Sequence, residues 1–404
     1  MIDFQALSNS YGTPLYIYNF NHITERYNSL KEAFVAKKSL ICYAVKANSN
    51  LSVVKHLADL GAGCDCVSIG EVRRAFLAGV PSYKIIFSGV GKKDEEIKEA
   101  LEKNILLINL ESEAELQRVE LMAKELNKEA RISIRVNPNI DPKTHPYIST
   151  GLSSNKFGVD IDTAKRMYIK AKNSDFLDPV GIHFHIGSQL TELDPIRESS
   201  ELVSDLVRSL KVLDINIKFF DIGGGLGIKY KDETLIEPYD YAQAIFGTLA
   251  GLDVTIMCEP GRYLVGESGY FLTKVLYEKV NEDKRFVIVD GAMNDFLRPS
   301  LYDAYHEIEV LGKDSDYSKT DVVGPVCESG DFFAKDIELP ATEHNDLLVI
   351  KATGAYGFSM SSNYNTRGKV AEVAVENGKD RLIRRRETFE DMIALEKEFI
   401  HDPR

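Results

Sequence analysis

Eight short apolar, β-branched runs separated by amphipathic helical patterns predict a (β/α)8 TIM-type barrel. After about residue 265 the rhythm changes: strand-like runs follow one another without long helices between them, which predicts a second, mainly antiparallel β-domain. A length of 404 residues has room for both. The expected organisation is an α/β chain with a barrel over 24–264 and a β-domain over 265–404, which the N-terminal segment 1–23 joins.

Barrel strands are predicted near 41–45, 63–67, 85–88, 105–109, 131–136, 180–186, 217–222 and 254–259. Between the fourth and fifth, Ser112-Glu113-Ala114-Glu115 reads as a capping box, and Leu116, Val119, Ala123 and Leu126 then share one helical face. A doubly wound open sheet also alternates strands with helices, but eight alternating units over roughly 240 residues favour closure. In the second domain, 269–277, 286–290 and 346–351 are strand-like, and 371–375 runs into an Asn377-Gly378 turn. The apolar stretch 14–18 precedes the barrel and is expected to add a strand to that sheet.

Composition narrows the function class. With 44% hydrophobic and 27% charged residues the chain has the make-up of a soluble globular enzyme. A formal net charge of −13 argues against nucleic acid, since Arg384-Arg385-Arg386 is the one basic cluster. Met1-Ile2-Asp3-Phe4-Gln5 does not resemble an export signal, and apolar runs such as 105–108 are too short to span a bilayer. Five scattered cysteines suggest reduced thiols and a cytoplasmic location. Cys64 and Cys66 lack a second pair, so no metal is expected there.

In such barrels the chemistry sits at the carboxyl ends of strands. Those positions hold Lys46 after the first strand, Asp65 and Ser68 near the second, Ser88-Gly89 after the third and Arg135-Val136-Asn137-Pro138 at the fifth. His183-Phe184-His185-Ile186-Gly187-Ser188 ends the sixth, Gly223-Gly224-Gly225 the seventh and Glu259-Pro260-Gly261-Arg262 the eighth. A lysine leaving a buried strand ordinarily snorkels to solvent, yet desolvation also makes it a candidate for covalent chemistry. The glycine run lacks the GxGxxG spacing and on its own is equally a tight turn; with Arg262 one loop later it suits a phosphate. His183 and His185, two apart on one strand face, would suit a metal hydrolase only with further strand-end ligands, which the sequence does not supply. Lysine, phosphate cradle, histidine and buried acid together permit pyridoxal 5′-phosphate chemistry.

From about residue 12 to beyond residue 390 the chain resembles the fold-type III pyridoxal-phosphate decarboxylases, in particular their diaminopimelate-decarboxylating branch. The resemblance is carried by Tyr43-Ala44-Val45-Lys46-Ala47-Asn48, Ser68-Ile69-Gly70-Glu71, His185-Ile186-Gly187-Ser188, Gly223-Gly224-Gly225, Glu259-Pro260-Gly261-Arg262, Arg298-Pro299-Ser300-Leu301-Tyr302, Gly324-Pro325-Val326-Cys327-Glu328-Ser329 and Gly354-Ala355-Tyr356-Gly357. It implies that Lys46 carries the cofactor, His185 stacks on its ring and Glu259 pairs with the pyridine nitrogen. Ser188, Gly225, Gly261, Arg262 and Tyr356 would hold the phosphate or lie beside it, with Asp65, Glu71 and Arg135 in support. The family is typically a homodimer in which Cys327 and Glu328 come from the second subunit. Arg298 and Tyr302 would bind the distal carboxylate of meso-diaminopimelate and Glu328 its ammonium, with Arg262 and Tyr356 also near the substrate.

The implied activity is decarboxylation to L-lysine, the last step of lysine biosynthesis, with Cys327 or Lys46 as candidate proton donor to Cα. The segment 145–151, before Lys156-Phe157-Gly158, resembles a loop that closes over substrate. One departure from the family pattern is Thr366-Arg367-Gly368, where a proline-containing arginine stretch is expected. Decarboxylases of ornithine, arginine or carboxynorspermidine, a racemase and a catalytically silent carrier barrel remain as alternatives.

Overall fold

The computed structural model describes residues 2–141 and 155–400. The segment 145–151 lies outside the described residues. The chain divides into two compact units, one of Thr24–Lys229 with Glu233–Leu264, the other of Met1–Ile23, Tyr230–Asp232 and Val265–Arg404.

Strand β1 (Leu15–Asn19) belongs to the second unit, and the next eight close a parallel barrel in chain order. These are β2 (Ser39–Ala44), β3 (Gly63–Cys66), β4 (Ile85–Phe87), β5 (Leu107–Leu110), β6 (Ala130–Arg135), β7 (Leu177–His183), β8 (Phe219–Asp221) and β9 (Thr255–Cys258), with β9 pairing back onto β2. Closure, not an open doubly wound sheet, is the outcome, as the eight alternating units required. Helices cover the outside and side chains fill the inside, so strands such as β3 and β5 are buried at every residue. Cys42, Ile86, Leu106, Leu107 and Met257 pack one core cluster of this unit.

Strand β7 stops at His183, three residues earlier than predicted. His183 and His185 therefore do not share a strand face: the first ends the strand, and the second lies in the loop beyond it. The predicted capping box is also half formed. Ser112 Oγ accepts the Glu115 N–H at 3.1 Å, but the Glu115 carboxylate reaches past Ser112 to the Glu111 N–H at 2.7 Å. Ser68 and Glu71 repeat the arrangement, with Glu71 Oε2 accepting the Val67 N–H at 2.7 Å. In both loops the acid secures the residue before the cap.

In the second unit the sheet order is β14-β13-β11-β10-β1-β16-β17, with β15 joining β10 to β12. Its further strands are β10 (Gly269–Asn281), β11 (Lys284–Val289), β12 (Ile308–Val310), β13 (Ser318–Val323), β14 (Phe332–Leu339), β15 (Leu347–Ile350), β16 (Ala371–Glu376) and β17 (Lys379–Arg384). The β16–β17 hairpin turns on Asn377 and Gly378 at φ 51° and 74°, the left-handed pair that a two-residue loop demands. Leu15 and Ile17 of β1 lie in one hydrophobic cluster with Leu272, Val349 and Val373. Pairings are mainly antiparallel; β1–β16 and β11–β13 are parallel. Among the described residues no helix is long and apolar enough to cross a membrane.

Candidate active site

The barrel unit places Lys46 in a single 3-10 turn, Val45–Ala47, directly after β2. Local bonds hold that turn: Tyr43 Oη donates to the Asn48 carbonyl at 2.9 Å, Asn48 Oδ1 accepts the Asn50 N–H at 3.1 Å, and Asn50 caps the next helix through the Ser52 N–H. The asparagines supply the acceptors that a sharp strand-to-helix passage needs. Lys46 Nζ lies 3.3 Å from Asp65 Oδ2; the lysine side chain is 40% exposed and the aspartate 1%, so the cation is accessible and its partner is not. Burial, then the charge of Glu259, push the Asp65 carboxyl above its ordinary value, against the pull of Lys46.

Glu259 follows β9 and is buried. Its Oε2 stands 3.2 Å from His183 Nε2, an ion-pair distance without hydrogen-bond alignment, and its Oε1 has no partner. Burial alone pushes this carboxyl up, but His183 and Lys46 outweigh it and bring the pKa down to about 2. Glu259 is therefore an anion with one unused buried oxygen, which protein structures seldom tolerate without a function. Asp221, at the end of β8, goes the other way: burial and then Glu259 raise it well above the carboxylate range.

His185 is pushed well below the usual imidazole value by burial, then by Arg135 and Lys46. The Gly224 N–H donates to its Nδ1 at 3.3 Å, which makes that nitrogen an acceptor and the ring neutral. Behind it, Arg135 donates to Glu111 Oε1 at 3.0 Å and reaches the His185 carbonyl at 3.4 Å. Glu111 Oε2 in turn accepts the Gly158 N–H at 2.7 Å.

Beyond β7, Arg262 Nε and Nη2 donate to Ser188 Oγ at 3.3 and 3.1 Å. Gly225 has φ +116°, and a Cβ there would come within 2.6 Å of the Gly187 carbonyl. At Gly261 a Cβ would press on Ala47 and Ala44 at 3.0 and 3.1 Å, so glycine lets this loop lie against the lysine turn. The set fits pyridoxal phosphate: a reachable lysine, a neutral flat imidazole, an anion with a vacant oxygen, and a glycine loop beside a buried arginine and a hydroxyl.

In the second unit, Arg298 opens the short helix Arg298–Tyr302 and is buried. Its Nε donates to His306 Nε2 at 3.3 Å, while His306 Nδ1 meets the Lys351 carbonyl at 2.9 Å. A carbonyl only accepts, so the proton sits on Nδ1 and Nε2 is left to receive the arginine. The guanidinium lies over the rings of Tyr230 and Tyr302, at 5.3 and 5.6 Å. Cys327 is exposed, its N–H held by Asn365 Oδ1 at 3.0 Å, and the neighbouring Glu328 accepts the Gly330 N–H at 3.2 Å. Tyr356 stands in the turn before Phe358–Met360 at φ 58°.

Within the barrel the structure thus groups Lys46, Asp65, His185 and Glu259, and joins Ser188 to Arg262; within the second unit it groups Arg298 with Tyr302. Sequence reasoning weighed His183 only as a metal ligand and did not single out Asp221 or Glu111 in the first, nor Tyr230 or His306 in the second. His183 had a signal in its HxH spacing, and Asp221 in being an acid directly before the glycine run. Tyr230 had none, because its short segment interrupts the chain of the barrel unit.

Residues 20–266 match the family described as pyridoxal-dependent decarboxylase, pyridoxal binding domain. The chain is 64% identical over 400 residues to diaminopimelate decarboxylase of Campylobacter jejuni, covering 99% of this chain and all of that one. It is 56% identical over 400 residues to the enzyme of the same name from Helicobacter pylori strain J99, covering 98% and 99%. Among solved structures, Helicobacter pylori diaminopimelate decarboxylase complexed with L-lysine superposes with a TM-score of 0.96 at 55% identity, over 98% of this chain and 100% of that one.

Proposed function

Since this chain belongs to the pyridoxal-dependent decarboxylases, and to the diaminopimelate decarboxylases among them, we propose that it converts meso-diaminopimelate to L-lysine and carbon dioxide on a cofactor held by Lys46. When bound, pyridoxal phosphate supplies an electron sink for the pair left on Cα as carbon dioxide departs. The observation that carries the reading is the buried, ionised Glu259 with its unpaired Oε1: a protonated pyridine nitrogen is the donor that oxygen wants.

The chain's own residues divide the work. Lys46 would hold the carbonyl end of the cofactor, and Asp65 orients its free ammonium beforehand. His185, neutral and flat, packs on the ring face without adding a competing charge. Ser188, Arg262 and the backbone at Gly225 and Gly261 would take the phosphate, and the family resemblance assigns Tyr356 to it as well. Arg298, backed by His306 and flanked by Tyr230 and Tyr302, clamps the distal carboxylate; Glu328 complements the distal ammonium. Ornithine and arginine carry no distal carboxylate and would leave the guanidinium unanswered. Cys327 delivers the proton to Cα from the second subunit of a homodimer, a role that its exposure in the single chain suits. Five free cysteines suit a cytoplasmic enzyme.

The test is L-lysine formation by purified protein with meso-diaminopimelate, run beside ornithine, arginine and carboxynorspermidine. Lysine from diaminopimelate alone is expected, and the Lys46→Ala variant should show neither turnover nor the cofactor's lysine-bound absorbance band. Normal turnover in that variant would sink the lysine assignment. Turnover confined to another substrate would overturn the roles of Arg298 and Glu328.

A further inference from the structure

One histidine of the HxH pair has no part in the reading above, yet it is the nearest basic group to the essential acid. His183 is 2% exposed at the end of β7, and its Nε2 lies 3.2 Å from Glu259 Oε2. Asp221 ends the adjacent strand β8 in register with it, and Glu259 follows β9. One polar atom from each of the three lies within 4.8 Å of the other two, and all three side chains are buried. Glu259 Oε1, Asp221 Oδ2 and both ring nitrogens of His183 make no aligned hydrogen bond. We propose that His183 is a positioning residue for Glu259: it engages the Oε2 edge of the carboxylate and so leaves Oε1 presented to the pyridine nitrogen of the cofactor.

The inference rests on the pyridoxal-phosphate reading and deepens it. A carboxylate among other buried acids has two ways to fail. It can take up a proton, or it can turn both oxygens toward whatever donor lies nearest. Burial itself pushes Glu259 toward protonation, while Asp221, raised well above the carboxylate range, helps to hold it ionised. Lys46 also opposes burial, but it is tied to Asp65 and serves the cofactor's other end. Arg135 is matched by Glu111. That leaves His183, 3.2 Å from Oε2, as the basic group able to hold Glu259 in one orientation. Asp221 limits the alternative orientation: its Oδ1 accepts the Gly223 N–H at 2.9 Å, which fixes the carboxyl beside Glu259.

Three holoenzyme variants test the assignment. Gln at 183 sets an amide N–H near the place of the ring Nε2; Asn sets it near Nδ1 and withdraws it from Glu259; Leu removes it. The measurements are the dissociation constant of pyridoxal phosphate, the cofactor's absorbance spectrum between about pH 6 and pH 9, and kcat and KM for diaminopimelate. His183→Leu and His183→Asn should weaken cofactor binding and lower kcat, each about 10–100-fold, the range seen when the group orienting a directly binding side chain is lost. KM should move by less than about threefold, and the cofactor spectrum should become pH-dependent where that of the natural protein is flat. His183→Gln should recover most of both losses.

Should the leucine variant fail to fold, the Asn–Gln pair decides, because the two are equally polar and differ only in where the donor sits. Asn equal to or better than Gln would overturn the proposal, as would unchanged cofactor affinity and spectrum in His183→Leu. One equivalent of zinc in the purified holoenzyme, with activity lost to a chelator, would overturn it too, by making the trio a metal site. Absence of any cofactor band in the natural protein would overturn the pyridoxal-phosphate reading itself, and this inference with it.

Discussion

The barrel mouth and the Arg298 cluster both bury charge, and they solve the problem differently. At the barrel mouth three acids, Asp65 on β3, Asp221 at the end of β8 and Glu259 after β9, have their states set by burial and neighbouring charges: one is drawn down to about 2 while the others are pushed up. Around Arg298 the guanidinium meets a histidine acceptor and two aromatic faces. The first arrangement suits a resident cofactor, whose ring nitrogen and phosphate complete the charge balance. The second suits a guest that carries a carboxylate, because a guanidinium positioned by a histidine and two aromatic rings presents a planar fork that matches one.

The largest effect should come from the barrel side. Glu259→Gln keeps the shape and the His183 contact but removes the negative charge opposite the pyridine nitrogen. A fall in kcat on the order of 100-fold is expected, the scale on which a positioned proton-holding group contributes. The cofactor should still bind, and its absorbance spectrum should shift; full activity in this variant would mean the charge of Glu259 is not used.

Arg298→Lys addresses the other region. A lysine keeps the charge and loses the planar fork, and with it one of two bonds to the distal carboxylate. That bond belongs to the class worth about 1.5–3 kcal/mol, so kcat/KM for diaminopimelate should fall roughly 10–100-fold. Any residual turnover of ornithine should not fall with it. A parallel loss on both substrates would show that Arg298 is part of the general scaffold, and the contrast between the regions would collapse.

Glu71 brings the barrel's electrostatics into stability. Burial raises its pKa to about 7, with Asp65 adding to the rise, while the Val67 N–H and Lys46 oppose it. Between the unfolded value near 4.5 and about 7 the folded state binds the extra proton, so this group's contribution falls as pH rises through that window. Above it the full cost of burying the anion remains. Glu71→Gln, which retains an acceptor for Val67, should therefore be more stable than the natural protein by about 1–3 kcal/mol near pH 8, each pKa unit being about 1.4 kcal/mol. Near pH 4.5 the gain should vanish. Melting curves of both proteins at the two pH values measure it; a gain independent of pH would assign the effect to something other than ionisation.

The two regions were also unequally legible in the sequence. Lys46, the glycine run and Glu259-Pro260-Gly261-Arg262 stood out because buried parallel strands are apolar, so polar residues and glycines at their ends have no packing reason to be there. The role of His183 did not, because periodicity cannot say that β7 stops there, nor that a loop histidine and a strand histidine two residues apart have different neighbours. Which of three acids keeps its charge depends on distances of a few ångströms across strands, and no spacing rule encodes that. The Arg298 cluster was legible only in Arg298 and Tyr302, through family resemblance. Tyr230 reaches it from a three-residue excursion out of the barrel sequence, and His306 from an unremarkable stretch before β12. Capping followed the same pattern: Ser112 was readable as a cap, whereas the destination of the Glu115 carboxylate depended on the turn before it.

The smallest expected effect concerns the stretch that departs from the family pattern. Asn365 and Thr366 both adopt left-handed backbone, at φ 55° and 54°, and the Asn365 side chain accepts the Cys327 N–H at 3.0 Å. Arg367, next in line, donates to Asn294 Oδ1 at 3.0 Å, which ties the segment to its own unit. Asn365, directly before the departure, thus props the loop bearing Cys327 and Glu328, the residues assigned to the reacting and distal ends of the substrate. Asn365→Ala removes one partly exposed hydrogen bond, worth about 1 kcal/mol, and leaves both functional side chains in place. A roughly three- to fivefold loss in kcat/KM is expected, with melting temperature nearly unchanged. Asn365→Asp, which retains the acceptor and tolerates left-handed backbone, should recover it. If alanine has no effect while Cys327→Ala is severe, the loop keeps its shape without Asn365, and the positioning of Cys327 must come from the second subunit.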